Sequence, residues 1–145
     1  MSNPTYNSAN LTREAGAKIE KHRLVKSAEG KVEHAGAADF PFGAVTEAAA
    51  PKDTEREENF IGIGLPYVVR VHAGQAVVKL ETEDSGFVEG DEVFAAADGK
   101  VAKSGTVKVG LADRPEDGKL LRVHLFHPAI NVTPATDSDP ATSAD

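Results

Sequence analysis

The chain contains no cysteine and no tryptophan. Without cysteine there is no disulfide framework, no thiolate-bound zinc or iron–sulfur cluster and no cysteine nucleophile. Aromatic residues make up only 6% of the 145 positions, so platforms for stacking bases or sugar rings are scarce. Positive charge is also short. Sixteen Lys and Arg stand against 23 Asp and Glu, a net charge of −7. That balance argues against nucleic acid and anionic membranes as partners, because both select a basic face. No apolar run approaches the roughly 18 residues that a membrane span needs. The first residues, MSNPTYNSANLTREAGAK, are polar and lack the apolar stretch of a signal peptide, so synthesis in a cytoplasm is expected.

What is present is a modest β-forming core. Of 58 apolar residues 22 are alanine, which leaves enough larger side chains for one domain. Residues 1–16 show neither a period of 2 nor one of 3.6 and read as an extended arm. Residues 129–145 carry prolines and aspartates with few hydrophobes and read as an acidic flexible tail. Residues 17–128 between them read as a single, mainly β domain. Tyr67 to His72, Ala76 to Glu81, Thr106 to Leu111 and Leu120 to Phe126 alternate apolar and polar residues, the mark of half-buried strands. Turn signals separate them at Ala73-Gly74-Gln75, Asp84-Ser85-Gly86, Glu89-Gly90-Asp91, Asp98-Gly99-Lys100 and Asp117-Gly118-Lys119. A short helix or turn is expected at Thr46 to Ala50 or Asp53 to Asn59, divided by Pro51.

The segments LVKSAEGKVEHAG (24–36) and VFAAADGKVAKSG (93–105) share an Ala-acidic-Gly-Lys-Val core. Each is followed by a matching pair, Phe42-Gly43-Ala44-Val45 and Val109-Gly110-Leu111-Ala112. The pattern is that of a hairpin in which Gly30 and Gly99 supply the positive φ of the turn. Two such hairpins suggest a small barrel or sandwich with pseudo-repeated halves.

The residues offer little chemistry. His124 and His127 are three apart on a strand, which points them to opposite faces, and His22, His34 and His72 stand alone. Glu81, Glu83, Asp84, Glu89, Asp91 and Glu92 crowd two turns without the spacing of a calcium loop, and solvated turn residues account for them. Gly62-Ile63-Gly64 lacks the third glycine of a dinucleotide fingerprint and is followed by Pro66. Catalytic residues, metal ligands and cofactor sites are therefore not expected, and the chain does not read as an enzyme.

Four features together resemble the capsid decoration, or cement, proteins of tailed phages. They are the polar arm leading into Glu14-Ala15-Gly16-Ala17-Lys18, the Leu24 to Gly36 hairpin followed by Pro41-Phe42-Gly43-Ala44-Val45, the run Gly90-Asp91-Glu92-Val93-Phe94 before Ala97-Asp98-Gly99-Lys100-Val101, and the return strand from Val107 to Asp113. The likeness spans about residues 10–128 and is carried by strand-turn-strand patterns. It implies a β-barrel or β-tulip body built from hairpins, on the outer capsid surface of a virion. It also implies that the major capsid protein and other copies of the chain are the partners, with a trimer on the shell. In that setting the arm would contact the capsid or a neighbouring copy through Tyr6, Leu11, Arg13 and Glu14. The alternative is a β-domain binding module of a phage tail or spike that recognises a receptor or carbohydrate. Exposed aromatics would distinguish it, and Phe60 and Tyr67 beside Pro66 are the candidates.

Overall fold

The computed structural model describes residues 10–52 and 65–125. Ten strands run in chain order. The first five are β1 (Asn10–Ala15), β2 (Arg23–Ala28), β3 (Lys31–His34), β4 (Gly43–Val45) and β5 (Val68–His72). The second five are β6 (Val77–Glu81), β7 (Glu92–Ala95), β8 (Val101–Ala102), β9 (Lys108–Ala112) and β10 (Leu120–Leu125), with a single 3-10 turn at Ala97–Gly99. The fold is mainly β, and its first half is a closed barrel. The order β1-β3-β2-β4-β5 returns to β1, with β1 parallel to β3 and antiparallel to β5.

The second half repeats the first strand for strand. Its sheet runs β6-β10-β9-β7-β8, and a parallel bridge from Thr82 to Val101 joins the two ends. That bridge matches the parallel Ala15–Val32 pair of the first barrel. The Ala15 N–H donates to the Tyr67 carbonyl at 2.8 Å, and the Thr82 N–H donates to that of Lys119 at 2.8 Å. Val68-Val69-Arg70-Val71-His72 of β5 corresponds to Leu120-Leu121-Arg122-Val123-His124 of β10. Lys31 pairs with Glu14 at 3.6 Å, and Lys100 faces Glu81 at 3.9 Å. Gly43 and Gly110 also match. At each, a Cβ would run into the neighbouring last strand, at the His72 and His124 carbonyls respectively.

Alternation explains the facing of the later strands. Val69 and Val71, Val78 and Leu80, and Leu121, Val123 and Leu125 are buried, while the residues between them are partly or wholly exposed. Burial of each such side chain contributes about 1.5–3 kcal/mol. On β9 the expected alternation breaks. Gly110 is buried against β10, and Leu111 is only half-buried. The start of β2, residues 23–25, is buried on both sides. Val25 faces the first core, with Ala15, Ile19, Val32, Val45, Ala49, Val69 and Val71. Leu24 faces the other way, into a core otherwise built mainly by the second half.

Two expectations change. The arm does not extend to residue 16, because Asn10–Ala15 is a full strand of the barrel. Its polar appearance has a physical cause. The Leu11, Arg13 and Glu14 side chains are only half-buried, and the Arg13 guanidinium lies 5.3 Å from the Phe42 ring centroid. Thr46 to Ala50 is not helical. Ala49 bridges Ile19 in extended backbone, which closes the end of the first barrel. The second helix candidate, residues 53–59, and the tail at 129–145 lie outside the described residues.

Candidate functional site

The hairpin tips are the most informative surface features. Glu29-Gly30 joins β2 to β3, with φ of +51° and +80°. Asp98-Gly99 joins β7 to β8, with φ of +57° and +73°. Both glycines thus occupy the left-handed region, where a side chain is strained. The second tip is one residue longer. Ala28 pairs directly with Lys31, whereas Ala96 reaches Lys100 across Ala97, Asp98 and Gly99.

Their surroundings differ completely. Among the described residues a Cβ at Gly30 would meet nothing within 4 Å, but a Cβ at Gly99 would lie 2.5 Å from the Leu24 carbonyl oxygen. The second tip is docked on the first barrel. The Gly99 N–H donates to the Ala35 carbonyl at 2.7 Å, and the Asp98 carbonyl accepts from the Arg23 guanidinium at 2.8 Å.

Arg23 organises this junction. Its side chain is 8% exposed and contacts Glu20 at 2.7 Å and Glu81 at 2.9 Å. The Glu81 N–H donates to the carbonyl of His22, a residue held at φ +58°. Lys18, Glu20, Arg23, His34, Asp98 and Lys100 line a shallow hollow over these contacts. His34 Nε2 accepts the Glu20 N–H at 2.9 Å, so the ring must be unprotonated there. Burial lowers the His34 pKa, and the Arg23 charge lowers it further against the opposing pull of Glu20 and Asp98.

The outer faces of β5 and β10 carry the matched Arg and His residues. His72 Nδ1 is 2.8 Å from Asn10 Oδ1, and burial followed by Arg70 lowers its pKa. His124 Nε2 is 2.8 Å from Asp113 Oδ1. Asp113 also contacts Arg114 at 3.3 Å and Arg122 at 3.8 Å. The hydrogen bond from His124, and after it the one from Arg114, holds the Asp113 carboxyl below its usual range. These are surface charge networks that fix side chains in place.

Of the arm residues expected to grip a partner, Leu11, Arg13 and Glu14 lie on barrel strand β1 with half-buried side chains. Leu11 pairs with Val71, Arg13 covers Phe42 and Glu14 pairs with Lys31. Tyr6, like His127 and Phe60, lies outside the described residues. Arg23 and Ala35 escaped the sequence reading. The signal available for Arg23 was a lone arginine directly before the apolar pair Leu24-Val25. Among the described residues no three His, Asp or Glu side chains gather as a metal site would require. The chain matches no family model and no curated protein.

Proposed function

We propose that the protein is a decoration protein of a tailed-phage capsid that binds the outside of the head and stabilises the shell. The observation that carries this reading is the fusion of a closed barrel and a sheet of like strand order through the buried start of β2, residues 23–25, with an ionic lock at Arg23. Such a body holds its outer surface at fixed spacing, which is what a clamp between shell subunits requires. Phe40, Val68, Val77 and Val88 project from it as exposed apolar side chains. Each offers little area alone, and repetition over many lattice sites makes small contacts sufficient.

In this reading the major capsid protein is the partner, copies trimerise on the shell, and the protein is made in the host cytoplasm before it joins the virion. The tail or spike alternative needs an open aromatic platform. The Lys52 ammonium already sits 5.4 Å from the Tyr67 ring centroid, so Tyr67 supports it poorly. The test is to prepare heads with and without the protein and heat both. Undecorated heads should form but release DNA at a lower temperature, and added protein should restore the loss, since ligands that bind only the intact shell stabilise it. Equal rupture temperatures would refute the role. Reconstructions showing lone copies far from any threefold would remove the trimer.

A further inference from the structure

We infer that the exposed Glu29-Gly30 tip is a docking element for a β-strand of another protein. That strand would present an arginine or lysine beside an open backbone carbonyl. The inference rests on the decoration reading, which makes the shell subunit that other protein.

The molecule contains a worked example of the contact. Its second tip, of the same left-handed conformation, gives a carbonyl to Arg23 and an N–H to the Ala35 carbonyl, with Gly99 pressed on the backbone of β2. The first tip presents the same two groups. Glu29 and Gly30 are exposed and make no hydrogen bond with the described residues, and the space around Gly30 is open. Its strained backbone is already set, so docking would not need to order it. Glu29 adds a carboxylate that suits a cationic partner.

A second copy of the chain does not fit. Its Arg23 site is filled by its own Asp98-Gly99 tip. The corresponding place on β7 is set by the ladder. Arg23 lies opposite Val45, and the Asp91 carbonyl accepts the N–H of Ala112, the counterpart of Val45, while the Gly90 N–H donates to the Ala112 carbonyl. Asp91 therefore takes the ladder position that Arg23 holds in the first half, and its carboxylate, which accepts the Val88 N–H at 2.8 Å, offers the tip no donor.

The experiment uses heads lacking the protein and measures binding of the full chain and three variants. Glu29→Arg should weaken binding at least about tenfold, and Gly30→Ala, which places a Cβ where the partner carbonyl must come, should weaken it as well. Glu89→Arg, at an equally exposed Glu-Gly turn, should stay within about twofold and controls for overall charge. Thermal unfolding of Glu29→Arg should match that of the unaltered chain. Unaltered binding by Glu29→Arg, with the parent chain binding normally, overturns the tip and leaves the decoration reading standing. Failure of the parent chain to bind heads overturns both.

Discussion

The two halves share one strand order yet are held together differently. The first closes its ring of strands and gathers a small core of Ala15, Ile19, Val25, Val32, Val45, Ala49, Val69 and Val71, with Phe42 packed against it. The second joins its ends through the single Thr82–Val101 bridge. It has the larger core, but takes Leu24, Ala35 and Ala44 from the first half. The lesson is that closure and borrowed apolar surface can substitute for one another. A barrel with no open edge tolerates a small core. A sheet with a weak seam needs a neighbour to cover what it cannot bury. The second half is therefore expected to lose more than the first when this shared surface is cut.

The strongest way to break this comparison is Leu24→Ala. Leu24 is fully buried, and the truncation should cost on the order of 3–4 kcal/mol. Amide exchange in β6, β9 and β10 should quicken more than in β1 and β5. Equal loss in both halves would show that the dependence is mutual. Next come the matched glycines. Gly99→Ala should cost about 2–3 kcal/mol, from positive φ together with collision on the Leu24 carbonyl, whereas Gly30→Ala should cost about 1 kcal/mol from φ alone. Urea unfolding of the two variants measures the difference directly.

Arg23→Met should cost less, about 1–2 kcal/mol. The lost buried charge is partly offset by apolar packing, and both carboxylate partners keep contact with water. The smallest effect is in pH. His34 has its pKa lowered by burial and by Arg23, so the native state favours the neutral ring. Its contribution to stability is complete above the ordinary histidine value of about 6.5 and is lost as pH falls through the lowered native value. Protonation also removes the acceptor for the Glu20 N–H. His34→Gln should flatten this limb of the stability–pH curve. An unchanged limb would exclude His34 as its source.

Much of this architecture was legible. The later strands were visible in their alternation because each has one clean apolar face. The hairpin repeat was visible because its turn demands an acidic residue and glycine before Lys-Val. The rest of the duplication was hidden although its residues are plain once aligned, as in Val-Val-Arg-Val-His and Leu-Leu-Arg-Val-His. The halves are separated by loops of different length, so no single offset brings all matched strands into line. Loops are free to vary while the core sets the strands. Strand β1 was missed because an arginine takes a position where a core residue is expected, its guanidinium lying over the Phe42 ring. The junction was invisible because Arg23 and Asp98 are far apart in sequence and meet only through the fold.

Asp91 also bears on what a crowded solution of this protein does. A chain whose one half docks on the other by a head-to-tail contact carries the rule for an endless fibre, since every added subunit would expose a fresh acceptor for the next tip. At the matching position of the second half stands the carboxylate of Asp91 instead of a guanidinium, so the next step lacks the donor that the first one uses. Asp91→Arg is therefore expected to favour docking of one chain's Glu29-Gly30 tip on the next, and a rise in mass with concentration in sedimentation would measure it.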